Sequence, residues 1–265
     1  MQPSAPWTPR LTVSVVSHGQ GHLLAPLLHQ LREASGQVRM QVIVTLNLPE
    51  PRIPVEESED FRLTWIVNPA PIGFAENHNA AFEHCRSPFF CVINPDVRLQ
   101  KQSLLPLLDC AAQWPGVAGP RVLAPDGRVE DSARRVPSVI RLARRTLKKR
   151  CEADYAVSKK IQQVDWLAGM CLVFQAETYR SVGGFDERFH LYCEDVDICL
   201  KIHLSGGYVS WVPDAVIVHD AQRASRRNWQ YLRWHIGSLL RLFASGTYWR
   251  FRFFASGHDK RAMHV

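Results

Sequence analysis

The sequence predicts an α/β fold with a mostly parallel central sheet, and two observations carry that prediction. The β-rich run Leu11 to Ser17 is followed by a polar turn and by an apolar-periodic helix, LLAPLLHQLREA. This order of strand, turn and helix opens an α/β unit. The run Phe89 to Ile93 is continuously apolar, which is typical of a parallel strand that is buried on both faces. We therefore expect a Rossmann-like sheet with flanking helices.

The remaining elements of the first half follow the same alternation. Val38 to Asn47 and Phe61 to Asn68 are predicted strands, and an acidic, Pro-rich loop separates them. The segment PIGFAENHNAAFEHC supplies a turn and a helix before the apolar run, which stops at Asn94-Pro95-Asp96. Polar residues at the carboxyl end of a central parallel strand lie where open α/β sheets bind ligands.

The second half of the chain is less regular. The pattern predicts, in order, a helix at Gln102 to Gln113, a strand at Val117 to Leu123, a strand at Val164 to Phe174, a helix at Glu194 to Leu204, two short strands within GGYVSWVPDAVIVHD, and a helix with an aromatic-basic tail after Arg226. We expect one main domain over residues 1–222. A C-terminal helix and tail, residues 223–265, would pack on it or extend from it.

Composition narrows the class of protein. The chain has 265 residues, 46% of them hydrophobic, which is enough for a sizeable core. Its formal charge of +7 suits nucleic acid, an anionic membrane surface or phosphorylated ligands equally well. Its seven cysteines lack CxxC spacing, so we expect reduced core residues and no zinc site. The N-terminus lacks an apolar signal core and no run approaches ~20 apolar residues, which indicates a cytoplasmic protein.

The predicted helix Glu194 to Leu204 has acidic residues in its first turn. On a helical projection Asp195 falls inside the apolar arc, while Glu194 and Asp197 fall on the opposite, outward arc. An acidic first turn is favoured by the helix dipole, so a plain structural charge is one interpretation. A carboxylate that points at the interior needs a partner or a chemical task. Asp195 is therefore a candidate functional residue.

Two strand ends offer ligands for a hard cation. Asp96 follows the apolar run, and its carboxylate is of the kind that holds Mg²⁺ or Mn²⁺, which in turn would neutralise a diphosphate. His219, at the end of a later strand, could bring an imidazole to the same ion. The alternative interpretation is a plain turn around Asp96 and a structural histidine.

Four motifs, in order along the chain, carry a resemblance to a known family. They are NPAPIGFAENHNAAF, INPDVRL, the block WLAGMCLVF with VGGFDERFHLYCEDVDICLK, and VPDAVIVHDAQRAS. Over residues 11–225 the sequence resembles the inverting GT-A glycosyltransferases, specifically the bacterial rhamnosyltransferase-like branch of family 2. The resemblance implies a GT-A fold. It also implies transfer of a sugar, with inversion, from a nucleotide diphosphate donor to a hydroxyl acceptor in cell-surface glycan synthesis.

The resemblance implies roles for individual residues as well. Asp195 corresponds to the general base, with Glu194 as the fallback. Asp96 and His219 correspond to ligands of a divalent metal, Mn²⁺ or Mg²⁺. The donor is expected to contact Ser17, Asn47, Asn68, Gly73, Asn79, Asn94 and Asp96. The acceptor is expected to contact Trp166, Gly169 and Asp186, with an exposed tryptophan face for sugar stacking.

The chain departs from the family pattern on the nucleotide side. The first strand ends Ser17-His18-Gly19 where the family has Thr-Tyr-Asn, and the second ends Thr45-Leu46-Asn47 where an Asp-Asn pair is usual. Asn94 replaces the first carboxylate of a full DxD motif. These departures leave open a catalytically weak nucleotide- or carbohydrate-binding protein on the same fold. A third hypothesis, nucleic-acid binding through Arg134 to Arg150, lacks interleaved aromatics, so no nucleic-acid partner is expected.

The resemblance points to dTDP-rhamnose as donor, with a uridine or guanosine nucleotide as the alternative, and to a glycan or polyprenyl-linked acceptor. The predicted helix after Asn228 has an apolar stripe, which comprises Leu232, Ile236, Leu239, Leu240 and Phe243. This stripe either packs on the core or contacts a membrane. Peripheral contact with the anionic inner face of a membrane is favoured by aromatic and basic residues. These are Arg233, Arg241, Trp249, Arg250, Phe251, Arg252, Phe253 and Phe254, with Arg141, Arg144, Arg145, Lys148 and Lys149.

Overall fold

The computed structural model of the chain describes residues 7–138, 153–219 and 229–258. Its strands are β1 (Leu11–Ser17), β2 (Met40–Leu46), β3 (Phe61–Val67), β4 (Phe89–Ile93), β5 (Val97–Leu99), β6 (Gly116–Leu123), β7 (Ala133–Arg134), β8 (Gln162–Gln163), β9 (Trp166–Leu167), β10 (Cys171–Gln175) and β11 (Tyr208–His219). Its helices are α1 (Gly21–Ala34), α2 (Phe74–Phe82), α3 (Leu104–Gln113), α4 (Ala176–Ser181), α5 (Glu194–Leu204), α6 (Trp229–Ala244) and α7 (Gly246–His258).

The main sheet of these residues has nine strands in the order β3-β2-β1-β4-β10-β6-β11-β5, with β8 against β11. Strands β1 to β4 are parallel, as the apolar run of β4 predicted. Strand β10 enters antiparallel between β4 and β6, and β6 runs parallel to β11. From β1 the chain goes to one side for β2 and β3 and then to the other for β4. This reversal leaves a crevice at the carboxyl ends of β1 and β4, where open α/β sheets bind ligands.

Two hydrophobic cores lie on opposite faces of the sheet. On one face α1 and α3 pack through leucines such as Leu27 and Leu107, which have no exposed surface. The spacing of those leucines on one side of each helix explains why both helices lie on the sheet. On the other face α2, α4 and α5 pack through Ala75, Tyr179 and Ile198. This second core fixes the acidic helix α5 in place.

The predicted elements agree with the structure where the apolar pattern is strong. The bounds of β1, β4 and α5 are confirmed residue for residue. The single strand predicted from Val164 to Phe174 is wrong, because it breaks into β9 and β10 at residues 168–170. There Ala168 N–H donates to Ser132 O instead of continuing the sheet.

The C-terminal part of the fold also differs from the prediction. The two short strands expected before His219 form one strand, β11, whose register shifts between Val212 and Val216. A bulge of this kind lets a strand bend without leaving the sheet. The predicted aromatic-basic tail contains a second helix, α7, which packs on α5 and buries Tyr248 and Phe251.

Helix α6 uses only part of its apolar surface for the core. Leu239 and Phe243 of the predicted stripe are partly buried, whereas Leu232, Ile236 and Leu240 are exposed. Among the described residues no helix is both long enough and apolar enough to cross a lipid bilayer. The proposed domain boundary at residue 222 and five basic residues of the predicted membrane patch lie outside the described residues, namely Arg141, Arg144, Arg145, Lys148 and Lys149.

Candidate active site

The candidate site lies where the ends of β4 and β11 meet the start of α5. A short backbone link, residues 168–170, joins these elements. Asn94 N–H donates to Met170 O at 2.9 Å, which fixes the Asn94-Pro95-Asp96 turn beside the link. Gly169 N–H donates to Asp195 Oδ2 at 3.0 Å. The link therefore connects the predicted metal motif to the predicted general base.

Asp96 and His219 lie close together beside the Asn94-Pro95-Asp96 turn. His219 Nε2 lies 3.3 Å from Asp96 Oδ2, because β11 pairs with β5 and places His219 opposite Val97. The other oxygen, Asp96 Oδ1, is buried and has no hydrogen-bond partner among the described residues. A buried carboxylate oxygen without a partner is costly, so this oxygen is available to a ligand.

Glu130 completes a cluster around the imidazole. Its Oε2 lies 3.2 Å from His219 Nδ1, across 89 positions of sequence. Burial lowers the pKa of His219, but the hydrogen bonds and charges of Asp96 and Glu130 outweigh burial and raise that pKa above its ordinary value. A carboxylate that holds one ring nitrogen is the usual means by which proteins orient a metal-binding histidine.

A divalent cation fits part of this cluster. Asp96 Oδ1 is a hard oxygen ligand without a partner, and His219 Nε2 is a nitrogen ligand when the ring is neutral. Within the described ranges no group of three or more His, Cys, Asp or Glu side chains could hold a metal ion. An ion here would therefore need oxygen ligands from a bound molecule such as a diphosphate.

Asp195 is held at the start of α5 by backbone donors. Gly169 N–H donates to its Oδ2 at 3.0 Å, and Val196 N–H donates to its Oδ1 at 2.8 Å. Burial raises the pKa of this carboxyl, although the two hydrogen bonds and the charge of Arg134 oppose the rise. The residue keeps part of its surface exposed. A reachable carboxyl with a raised pKa has the properties of a general base.

Glu194 and Asp197 do not point outward as the helical projection predicted. Only 5% and 1% of their surfaces are exposed, because α5 is covered by β9 and β11 and also by α7. Asp197 pairs with Lys201 at 2.9 Å. Burial and the charge of Asp195 raise the pKa of Glu194 well above its ordinary value, and Glu194 Oε2 has no hydrogen-bond partner among the described residues. Glu194 is thus enclosed, whereas Asp195 is accessible.

Asparagine side chains connect the strand ends on the nucleotide side. Asn47 Oδ1 accepts hydrogen bonds from Asn68 Nδ2 and Ile72 N–H. Asn47 Nδ2 donates to Ile72 O and His18 Nδ1. All four hydrogen-bonding positions of this amide are occupied, which favours a structural role over the predicted donor contact. Asn68 Nδ2 also donates to Asn77 Oδ1 at 2.7 Å, so Asn68 belongs to the same network.

Asn79 anchors a turn in the second half of the chain. Its Oδ1 accepts from Tyr179 Oη at 2.7 Å and from Phe185 N–H at 3.1 Å. Its Nδ2 donates to Phe185 O and to Glu187 Oε1, both at 2.9 Å. These contacts also use every position of the amide and favour a structural role for Asn79 over the predicted donor contact.

The other predicted donor residues are Ser17, Gly73 and Asn94. Ser17 Oγ accepts from Gln20 N–H at 3.2 Å and closes the turn after β1. A Cβ added at Gly73 would lie 3.0 Å from His190 O, so contact with the protein's own backbone accounts for this glycine. Asn94 keeps part of its surface exposed. Their contacts with a donor stay predictions.

One of the three residues predicted for the acceptor contacts Asp195. Gly169 contacts it directly. Trp166 is 8% exposed and donates from Nε1 to Arg135 O at 3.0 Å. The guanidinium of Arg134 lies over the indole, 5.2 Å from its ring centre. The exposed tryptophan face expected for sugar stacking is therefore wrong, because the indole is buried and packs against Arg134.

Asp186, the third predicted acceptor residue, is paired within its own loop. Arg188 Nε donates to both of its carboxylate oxygens, at 2.9 and 3.0 Å, and the pair lowers the pKa of Asp186. Sequence reasoning missed Glu130 and the position of Arg134. Glu130 lies between a turn and a two-residue strand, and no periodic pattern in the sequence indicates a function for it. Arg134 is one of many basic residues in the same segment, so the sequence does not distinguish it.

The arrangement of sheet and site defines a class of protein, the GT-A glycosyltransferase fold. GalNAc-T7, solved with UDP, GalNAc and Mn²⁺, superposes with a TM-score of 0.60 at 14% identity, covering 81% of this chain and 43% of that one. The mannosyltransferase PcManGT from Pyrobaculum calidifontis, solved with GDP-Man and Mn²⁺, gives a TM-score of 0.57 at 19% identity, covering 89% and 65%.

The particular family follows from sequence. Residues 97–259 match the model of glycosyl transferase family group 2, so the chain belongs to this family. It is similar to N-acetylglucosaminyl-diphospho-decaprenol L-rhamnosyltransferase of Mycobacterium tuberculosis, 34% identical over 148 residues, covering 52% of this chain and 48% of that protein. It is also similar to rhamnosyltransferase WbbL of Escherichia coli, 35% identical over 82 residues and 31% of each chain. The chain therefore spans about half or less of the length of these relatives.

Proposed function

We propose that the chain is an inverting sugar transferase that uses a nucleoside diphosphate sugar as donor and a hydroxyl group as acceptor. One observation carries the proposal: the 168–170 link joins an unpartnered Asp96 Oδ1, beside His219, to a reachable Asp195. The first group suits a metal-bound diphosphate, and the second suits removal of a proton. Membership of the family supports the same class of reaction.

Asp195 acts as the general base in this proposal. Its carboxylate accepts the proton of the acceptor hydroxyl while the hydroxyl oxygen attacks the anomeric carbon from the side opposite the diphosphate. The hydrogen bonds from Gly169 and Val196 hold the carboxylate in one orientation during the transfer. The bond to the diphosphate breaks as the new glycosidic bond forms, so a single displacement inverts the anomeric centre.

Asp96 and His219 would hold a divalent cation, Mn²⁺ or Mg²⁺. Such an ion supplies positive charge that stabilises the leaving diphosphate. Glu130 keeps the His219 ring oriented for this role. Two proteins with the same fold were solved with Mn²⁺, which supports the assignment.

The proposed donor is dTDP-rhamnose, and the proposed acceptor is a polyprenyl-diphosphate-linked sugar in bacterial cell-surface glycan synthesis. The mycobacterial relative, an N-acetylglucosaminyl-diphospho-decaprenol L-rhamnosyltransferase, supports rhamnose as the sugar and a polyprenyl-diphosphate-linked acceptor. The similarity covers only part of each chain, so the chemistry of donor and acceptor needs its own test.

The test is transfer of labelled rhamnose from dTDP-rhamnose to a short-chain N-acetylglucosaminyl-diphospho-prenol, with UDP- and GDP-sugars in parallel. We expect transfer with Mn²⁺ or Mg²⁺, none in EDTA, and a loss of at least ~10²-fold in Asp96→Ala. Asp109→Ala is the matched control, because that side chain is 72% exposed and paired with Arg10 at the surface. Full activity of Asp96→Ala would remove the metal from the mechanism.

Two other outcomes of this test have distinct meanings. Turnover of a UDP-sugar but not of dTDP-rhamnose would correct the donor and leave the class of enzyme intact. Nucleotide binding without transfer or hydrolysis of any sugar would favour a binding protein on the same fold. The departures from the family pattern at the ends of β1 and β2 and at Asn94 are the observation in favour of that second candidate.

The exposed apolar residues of α6 support a location of the protein at the inner face of a membrane. Trp229, Ile236 and Leu240 fall on one side of this helix and are 72%, 49% and 65% exposed. Arg233 beside them is exposed as well. An exposed apolar stripe with adjacent arginine suits an anionic bilayer surface, where the polyprenyl acceptor would lie.

Co-sedimentation with phosphatidylglycerol vesicles at low salt tests this placement. We expect binding that is lost in the Ile236→Ser, Leu240→Ser double variant. Val157→Ser is the control, because Val157 is also exposed, at 48%, but lies elsewhere on the surface. Absence of wild-type protein from the vesicle pellet would instead point to a soluble acceptor.

A further inference from the structure

We propose that Arg134 binds the diphosphate of the acceptor and so makes the enzyme prefer a sugar that is linked to a prenyl diphosphate. The inference rests on the proposed function, because it concerns the acceptor that this function requires. Arg134 lies outside the four sequence motifs that carry the resemblance to the family. It is the first residue of the basic segment Arg134 to Arg150.

The guanidinium of Arg134 is supported by two contacts. Its Nε donates to Asp131 O at 2.7 Å and lies 3.2 Å from a carboxylate oxygen of Asp131. The guanidinium also lies over the indole of Trp166, 5.2 Å from the ring centre, because β7 pairs with β9 and places the two residues opposite each other. A group that is held in place before binding loses less conformational freedom when it binds a ligand.

The terminal edge of this guanidinium is open to a ligand. Its Nη1 and Nη2 have no hydrogen-bond partner among the described residues, and 32% of the Arg134 side chain is exposed. Two nitrogens in a planar fork match two oxygens of a phosphate group, so arginine binds phosphates through paired hydrogen bonds. Asp131 contacts the Nε edge and leaves the terminal edge for such an anion.

Arg134 lies on the acceptor side of the site, near the proposed base. Its segment is attached to the 168–170 link, because the first N–H of the link donates to Ser132 O at 2.8 Å, and the link also holds Asp195. The charge of Arg134 opposes the rise that burial causes in the pKa of Asp195. Burial lowers the pKa of His235 on α6, and the charge of Arg134 lowers it further. The guanidinium therefore lies near both the start of α5 and α6.

Helix α6 brings apolar side chains to the same region. His235 packs on Tyr192 with ring centres 5.1 Å apart, and Ser238 Oγ donates to Leu191 O at 2.8 Å. These two contacts fix α6 to the loop that leads into α5. Ile236, the neighbour of His235 in the helix, is 49% exposed. The exposed apolar residues of α6 therefore begin beside a side chain whose pKa the guanidinium affects.

The order of these groups matches the order of groups along the proposed acceptor. The prenyl chain would lie against α6 and the bilayer, the diphosphate against Arg134, and the sugar hydroxyl at Asp195. The donor diphosphate is assigned to Asp96 in the proposed function, so the two diphosphates have separate partners. Hydrogen bonds between an arginine and a phosphate are charge-assisted and strong, so their loss weakens binding of a diphosphate-linked acceptor in particular.

The test uses two acceptors that differ only in the diphosphate. They are a short-chain N-acetylglucosaminyl-diphospho-prenol and the matching prenyl N-acetylglucosaminide. We expect kcat/KM of the wild-type enzyme to favour the first acceptor at least tenfold, and Arg134→Ala to lose about tenfold of this preference. Arg134→Lys keeps the charge without the fork and should retain part of it. Loss of the Arg134 charge at Asp195 affects both acceptors equally, so the ratio isolates the contact with the diphosphate.

Arg62→Ala is the matched control. The guanidinium of Arg62 also lies over an indole, 5.8 Å from the ring centre of Trp7, and it also pairs with a carboxylate, that of Glu57. This variant should retain the full preference. Calorimetry with geranyl diphosphate in EDTA measures the same contact without transfer and without metal. We expect binding to be about tenfold weaker in Arg134→Ala and unchanged in Arg62→Ala.

The outcomes separate this inference from the proposed function. An unchanged preference in Arg134→Ala would overturn the inference and leave the transferase intact. An equal loss with both acceptors would show that Arg134 only supports the base, which also overturns it. Weaker binding of Arg134→Ala to phosphatidylglycerol vesicles, with the preference retained, would assign the arginine to lipid headgroups instead. Absence of transfer from every nucleotide sugar, with geranyl diphosphate still bound through Arg134, would refute the proposed function and retain the diphosphate site.

Discussion

Replacement of Asp195 by asparagine separates catalysis from stability at the start of α5. The carboxylate accepts one hydrogen bond on each oxygen, from Gly169 N–H at 3.0 Å and from Val196 N–H at 2.8 Å. Asparagine has one side-chain oxygen, so one of these N–H groups would face an NH₂ group. Leaving one such donor without a partner costs about 1–3 kcal/mol of unfolding free energy. The expected fall in Tm is about 2 to 4 °C for each of those kcal/mol.

The effect on the reaction is larger than the effect on folding. Loss of a general base lowers turnover by ~10² to 10⁴-fold, which corresponds to about 2.7 to 5.4 kcal/mol of activation free energy. A native protein has roughly 5–15 kcal/mol of stability, so Asp195→Asn stays folded at 25 °C while its turnover falls. Donor and metal bind elsewhere in the site, and their affinities should not change.

The assay measures sugar transfer, donor binding and the melting temperature of Asp195→Asn on the same preparations. Glu194→Gln is the matched control, since Glu194 is the neighbouring carboxyl but is enclosed, with 5% of its surface exposed. We expect Glu194→Gln to retain far more turnover than Asp195→Asn. Turnover of Asp195→Asn within a few-fold of wild type, or a Glu194→Gln variant that alone is inactive, would refute the assignment of the base.

Three further predictions concern the supports of the site and the fold. Glu130→Ala removes the carboxylate that orients His219, and calorimetry with donor present should show Mn²⁺ affinity reduced about 10- to 100-fold. Burial lowers the pKa of His78 from 6.5 to about 3. The unfolded chain therefore takes up a proton first, and urea denaturation should show stability lost as pH falls below 6.5, by about 2 kcal/mol at pH 5. Gly184→Ala would place a Cβ 2.5 Å from a side-chain oxygen of α2 at φ +66°. It should lower Tm more than Gly183→Ala, which has a similar φ of +79° but open space around it.

Local sequence patterns predicted the elements of the fold but not the partners of their side chains. The apolar runs of β1 and β4 determine both the type and the bounds of these strands, because nearly every residue in them is buried. The motif residues Asp96, Asp195 and His219 also lie around one short link. In each of these examples the information is contained in a short stretch of chain.

Contacts between distant segments account for the features that the sequence did not reveal. A single-helix projection could not predict the burial of Glu194, because α7 covers α5 from another part of the chain. The amide of Asn47 is occupied by Ile72, 25 positions away, and that of Asn79 by Phe185, 106 positions away. A family motif preserves the residue type at such positions, but it does not state whether the side chain faces a ligand or the protein.

The position of β11 between β6 and β5 has a consequence for newly synthesised chains. Glu130 and His219 are 89 positions apart, so at roughly 5–20 residues per second a ribosome needs about 4 to 18 s to proceed from one to the other. Until β11 is made, β6 lacks the strand on its outer side and β5 lacks its only partner in the sheet order, and an open strand edge favours pairing with other chains. When β11 is added to the sheet, it covers that edge. The same step brings the imidazole of His219 to Asp96. A nascent chain therefore gains His219, the proposed metal ligand, only when this part of its sheet is closed.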